Sequence, residues 1–305
     1  MASVVFPESE GACIEISAGY EGLSLKNFDF MQNAHPVIVE NTAHGVSICG
    51  NAFGGTVAIR GAQDVQLMGN SFDGAGITVT EAKAAEIRGN TFYNAVDAAI
   101  RVTDGSSDGR ISNNKILANE QSVQSGILLD GSSNFALWNN VIAATGAGEI
   151  ASGLLLRGVS RGVVFNNVFS GAKVGLEFAG AETGGKAGSV TTDITMRNNI
   201  ISGTAGSAYI FTAMPERVSS DYNLFYEAYP EYMETNSLFG FPEFINSNND
   251  WRIITKSPGA YSGADVPDVL NGSSGEIYAL DMTDMNGVPA DGRLSMGAYR
   301  YVADP

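Results

Sequence analysis

This sequence is poor in the residues that most often carry chemistry. It has two cysteines, Cys13 and Cys49, and two histidines, His35 and His44, in 305 residues. Two cysteines make neither a disulfide framework nor a zinc site, and these two are expected on different faces, unbridged. A histidine-based metal centre is not expected. Cations are scarce, with 17 Lys and Arg against 33 Asp and Glu, for a net charge of −16. Such a surface repels nucleic acid and anionic membranes, so neither is an expected partner. Any polyanionic substrate would need a local basic site. No apolar run approaches the roughly 18 residues of a membrane span. No segment carries a long 3.6-residue period, so long helices are not expected either. The opening "MASVVFPESEG" lacks the basic start and apolar stretch of a signal peptide. The chain enters its repeats almost at once, as expected of an extracellular or cell-surface protein trimmed before Met1.

What is present is a repeat. The pattern apolar-x-(Gly/Asn)-Asn-x-apolar returns as "ICGNAF", "LMGNSF", "IRGNTF", "ISNNKI", "LWNNVI", "VFNNVF" and "MRNNII", and more loosely as "SDYNLF". The second asparagines are Asn51, Asn70, Asn90, Asn114, Asn140, Asn167, Asn199 and Asn223, spaced 19, 20, 24, 26, 27, 32 and 24 residues apart. "LKNFDF" fits one step earlier, with Phe28 in the asparagine slot. A period of this size means a solenoid. Between asparagines the chain alternates apolar and polar residues in short stretches separated by Gly- and Ser-rich turns, which reads as strand. Each repeat is therefore about three short strands, and strands returning to one place must stack in parallel. The fold class is all-β, a right-handed parallel β-helix with about nine coils.

The asparagine pair marks a tight bend between the second and third strands. Asparagine tolerates the left-handed backbone region there, and its amide can bond to the asparagine one coil away. The flanking apolar residues, including Phe53, Phe72, Phe92 and Phe169, form the interior stacks. Extra residues must enter at turns. The longest insertion, "AGAETGGKAGSVTTD" at Ala179 to Asp193, is expected to form a flexible flap. The loops at Ala118 to Ser125 and Ala144 to Ser152 flank the same middle section. Residues 1–228 are the β-helix. Residues 229–305, rich in aromatics, are a C-terminal segment capping the open end, with an aromatic sugar platform as the lesser reading.

The repeats, with the tail motifs "FGFPEFINSNNDWRIITKSPGAYSGA" and "DMNGVPADGRLSMGAYRY", resemble the pectate-lyase-like right-handed β-helix proteins of bacteria. Ser257-Pro258, Gly263 and Gly297-Ala298-Tyr299 match the family's usual C-terminal close. Ala290 stands where an arginine is common, and Arg300 follows the last tyrosine. The resemblance implies a fold, and a substrate lying along the first strand of the coils. The fold itself carries lyases, hydrolases, epimerases, adhesins and phage spikes.

The first strands place Ile14 and Ile16, Val37 and Val39, Val57 and Ile59, Ile77 and Val79, Ile100 and Val102, Ile127 and Leu129, Leu154 and Leu156, and Leu176 and Phe178 inward. Outward positions include Glu40, Arg60, Thr80, Arg101, Thr103, Asp130, Arg157, Glu177 and Thr212. Arg101, Asp130, Arg157 and Glu177 come from four successive coils and are the candidate catalytic set. Glu40, Arg60, Thr80 and Thr103 are the candidate substrate-binding set. β-Elimination on a uronic acid needs a cation against the carboxylate and a base for the C5 proton. Arg101 and Arg157 can neutralise, and one of them can be the base. Asp130 and Glu177 could hold Ca2+, the one cofactor suggested, or form a glycosidase pair. An ion-pair ladder that only keeps the surface soluble accounts for the same residues. His44 is a further base candidate at a turn. Lys173 and Arg197 fall on different strands. The reading is an extracellular lyase-like protein acting on an acidic polysaccharide. The alternatives are a non-catalytic carbohydrate-binding or adhesin module and a phage fibre-type subunit. Oligomeric state is left open.

Overall fold

The computed structural model describes residues 14–16, 21–31, 37–182, 187–204, 207–230, 234–265, 269–270, 277–278, 283–289 and 294–301. Cys13, His35 and Ala290, named above, lie outside them.

Three parallel sheets run the length of the rod, of nine, nine and ten strands. Each coil contributes one strand to each sheet. The first sheet runs Ile14–Ile16, Val37–Glu40, Val57–Arg60, Ile77–Thr80, Ala98–Thr103, Val123–Asp130, Ile150–Arg157, Ala172–Ala179 and Ser207–Phe211. These strands are numbered here as coils one to nine. Their register follows the inward set read from the sequence: Ile14 pairs with Val37, Val57 with Ile77, Ile100 with Ile127, Leu154 with Leu176. Inward residues of all three sheets make one continuous core. Inside it Phe30, Phe53, Phe72 and Phe92 stack at centroid spacings of 5.3, 5.1 and 4.7 Å, close to the strand spacing that imposes them.

The bend after the second strand divides its work between two residues. The first residue of each pair takes the left-handed backbone: Asn27, Gly50, Gly69, Gly89, Asn113, Asn139, Asn166 and Asn198 all have φ between 54° and 65°. The second residue makes the ladder. Asn140 is fully buried. Its Nδ2 donates to Ile111 O at 2.9 Å and to Asn167 Oδ1 at 3.0 Å. Its Oδ1 accepts from the backbone N and the Nδ2 of Asn114, each at 3.0 Å. Every donor and acceptor of the amide is thereby used, which is why a polar side chain is tolerated at zero exposure. The same four bonds recur at Asn70, Asn90, Asn114 and Asn167. The last rung, Asn223, donates to Ser220 Oγ and to Glu234 Oε2, and Glu234 also accepts from Ser237 and Tyr209.

The tail does two things. Leu238–Phe239 adds a tenth strand to the third sheet over Leu224 and Phe225. Much of the rest, among the described residues, lies along the flank. Trp251, Ile253, Met296, Ala298 and Tyr299 bury the outward residues Val141, Val168, Ile200 and Leu224 of the third sheet in a second core. The left-handed asparagines hold this strap. Asn139 Nδ2 donates to Thr283 O at 2.6 Å, Asn166 Nδ2 to Ser295 O at 3.0 Å, and Asn198 Nδ2 to Ala264 O at 2.7 Å. Gly297 needs to be glycine: its φ is 88°, and a β-carbon would lie 2.6 Å from Ile200 Cδ1. The change from Gly-Asn to Asn-Asn along the sequence thus coincides with the coils that carry the strap. Of the aromatics in this segment, Phe244 packs against the second core, while Tyr229, Phe239 and Phe241 are exposed.

Candidate functional site

The first-sheet strands are three or four residues long in coils one to four, and eight residues in coils six to eight. The lengthening continues the strand backwards around a corner, where Gly126, Gly153 and Gly175 face one another. A β-carbon on Gly153 would lie 2.7 Å from both Gly175 O and Phe169 Cδ1. Small residues therefore let the coils close there, and the longer strands widen the outer face.

On that face lies an open trough of about 340 Å³. Its floor is Leu128 and Leu155, outward-facing yet only 4% and 5% exposed. Ser125 and Ser152, in the lengthened beginnings of their strands, line one side. Arg101, Arg157 and Glu177 line it together with Asp97 and Glu182. Arg101 and Glu177 occupy one row, through the pairings Arg101 to Leu128, Leu128 to Leu155 and Leu155 to Glu177. Arg157 belongs to the neighbouring row, two coils beyond Arg101, or about 10 Å by strand spacing. A second hollow of about 180 Å³ continues the trough over coils three to five and shares Asp97 and Arg101 with it.

Each guanidinium meets an acid of the chain. Arg101 pairs with Asp97, and Arg157 with Glu182 of the flap. Glu177 Oε2 accepts from Ser152 Oγ at 2.5 Å, and among the described residues it forms no ion pair. Summing Asp97, Arg101, Arg157, Glu177 and Glu182 gives the trough one net negative charge.

Asp130 departs from expectation. It is 1% exposed and does not line the trough. Its Oδ1 accepts the backbone N–H of Glu182 at 3.0 Å, so the flap closes over it. The described part of the flap is pinned as well: Ala181 N donates to Ser189 O, and Thr191 Oγ1 to Leu156 O. Residues 183–186 of the flap lie outside the described set. Asp130 pairs in register with Arg157, and Arg157 with Ala179 rather than with Glu177. Asp130 and Glu177 are thus two coils apart in different rows. Asp130 lies under the flap while Glu177 lines the trough. Among the described residues no three His, Cys, Asp or Glu gather into a metal-holding group.

The four substrate-binding candidates fall in one row, but outside both hollows. Arg60 NH1 pairs with Glu40 at 3.4 Å, and Thr80 Oγ1 meets Thr103 Oγ1 at 3.3 Å. Thr212 follows the last first-sheet strand and bonds Phe178 O. His44 lies at the turn before the second sheet, 2.8 Å from Asp64. Lys173 pairs with Glu149, and Arg197, on the second sheet, with Asp221. Sequence reading missed Asp97 and Glu182. The first stands four residues before Arg101, and the second was hidden in the flap.

Residues 8–184 match the family model described as the right handed beta helix region. The chain belongs to this family. No curated protein matches it by sequence. Among solved structures, this β-helix is similar to a pectate lyase from Bacillus sp. in complex with trigalacturonate, at 14% identity and a TM-score of 0.44, covering 78% of this chain and 89% of that one. It is similar to an alginate lyase from Paenibacillus sp., at 13% identity and a TM-score of 0.36, covering 72% and 98%. It is similar to a periplasmic alginate epimerase, at 12% identity and a TM-score of 0.35, covering 68% and 76%. No helix among the described residues is long and apolar enough to cross a membrane.

Proposed function

We propose that the trough receives an extended acidic polysaccharide outside the cell, and that the protein cleaves uronate-containing chains by β-elimination. One observation carries this reading: Arg101 and Arg157 face a single trough with an apolar floor, in a chain that has few cations. Sugar rings present C–H faces to such a floor, and a guanidinium pairs a carboxylate in a fixed fork. With the carboxylate neutralised, the C5 proton becomes acidic. Glu177 is the base in this scheme. It takes the C5 proton, the C5–H electrons form the C4–C5 double bond, and the C4–O bond breaks. The departing oxygen takes a proton from water. Asp130 leaves the catalytic set, and the scheme needs no metal.

A second reading, binding without cleavage, is favoured by the acids that already face both arginines. One experiment separates the two. The protein is incubated with trigalacturonate, pectate, alginate and chondroitin while the ultraviolet absorbance of unsaturated ends is followed. A signal lost in Arg101→Ala and in Arg157→Ala supports elimination in the trough. A signal that survives both refutes that site. Binding without any signal supports the module reading.

A further inference from the structure

We infer that Glu182 is a built-in occupant of the carboxylate position on Arg157, held there by Asp130. The inference rests on the polysaccharide reading above and adds a means of selection to it. Glu182 reaches Arg157 from the flap and places Oε2 on NH1. Its backbone is fixed from below, because its N–H donates to the buried Asp130 carboxylate, and the preceding Ala181 is 5% exposed. Its side chain is not fixed in this way and is 65% exposed. A rigid backbone thus carries an exposed, exchangeable carboxylate.

Arg157 is incompletely used by this partner. NH1 is taken by Glu182, and among the described residues the buried Nε–H has no acceptor. A guanidinium binds a carboxylate best through two parallel N–H groups. Glu182 supplies a single contact, to NH1, whereas a carboxylate arriving in the fork orientation would span NH1 and NH2 together. Exposed ion pairs shift equilibria by roughly fivefold or less, so displacing Glu182 costs little. A ligand that gains the second bond and the Leu128–Leu155 floor overcomes that cost. A small anion, making one contact, does not. Asp130, read from the sequence as a catalytic or metal-binding acid, becomes a positioning residue.

The test uses the full chain, wild type and Glu182→Gln, with no substrate present. Arginines are modified with 2,3-butanedione and quantified by peptide mass spectrometry. Arg60, 55% exposed and outside the trough, is the internal reference. Arg157 is expected to react about threefold to fivefold faster in the variant, with Arg60 unchanged. Equal Arg157 rates overturn the inference. A second arm measures the half-saturating concentration of trigalacturonate, which is expected to fall by a similar factor. A rise would make Glu182 a substrate contact and overturn its role as competitor. If Arg157 is unmasked but neither protein binds any polyuronate, the masking contact stands and the polysaccharide reading falls.

Discussion

Replacing Asn140 by alanine should be among the most damaging single changes in this molecule. The substitution removes an amide with four hydrogen bonds at full burial. Ile111 O loses a donor. The backbone N–H of Asn114 loses its acceptor, and so does one of its two side-chain N–H groups. Water cannot reach these groups, and each costs about 1–3 kcal/mol when orphaned. Allowing for some relaxation, the sum is about 3–6 kcal/mol, a large share of the roughly 5–15 kcal/mol that holds a typical domain. Asn51→Ala should cost less, about 1–3 kcal/mol, because on its N-terminal side Asn51 serves only the partly buried Phe28 N and Leu25 O. The assay is urea unfolding followed by tryptophan fluorescence and far-ultraviolet dichroism. The two probes are needed because neighbouring coils can unfold separately. A loss under about 1.5 kcal/mol at Asn140, or an equal loss at Asn51, would refute the argument that buried amide satisfaction stabilises the coil stack.

Two further outcomes follow from the strap and from buried phenols. Asn166→Ala removes the donor to Ser295 O and Gly297 O, so the strap should become a faster target in limited proteolysis, with about 1–2 kcal/mol of stability lost. An unchanged cleavage rate would show that the second core alone holds it. At alkaline pH, burial and then the nearby Glu234 carboxylate push Tyr209 well above its ordinary value of 10, and burial pushes Tyr299 up to about 12. Both pKa values are raised by folding, so the neutral forms stabilise the native state. That contribution is complete below pH 10 and is lost as pH rises through 12. The melting temperature should fall over this window, and a flat profile would contradict it. The acid end works in the opposite sense. The Arg217 guanidinium holds exposed Asp193 at about 2, so its contribution is present above pH 3.8 and fades as pH falls through 2.

The coil stack was readable because one residue type had one job in every coil. Asn51 to Asn223 could be aligned by eye, and the alternation in "ITVTE" or "ILLDG" left no doubt about which face was inside. The site was less readable, because alternation says which way a side chain leaves its strand and not what later folds onto it. Asp130 leaves the strand outward, yet a segment 52 residues on covers it. Leu128 and Leu155 leave outward and are nonetheless buried. The course of the strap was hidden for the same reason. Its aromatics signalled a need for burial but not a location, and the location was written elsewhere, in Asn139, Asn166 and Asn198.

The asparagine row has a direction. Every side-chain nitrogen faces the coil that follows and every side-chain oxygen the coil before, so the amide dipoles add along the rod. The first rung presents an oxygen, and an ordinary backbone N–H, that of Phe28, is enough to meet it. The last rung presents a donor, and Glu234 meets it with a negative charge, much as an acidic side chain meets the N-terminus of a helix. The two ends of the row are therefore chemically unlike. A coil inserted in the middle would find a matching partner on either side. Growth at the C-terminal end, or a second copy seated there, would first have to displace a carboxylate. Lengthening of this rod is thus permitted from within and opposed at its tip.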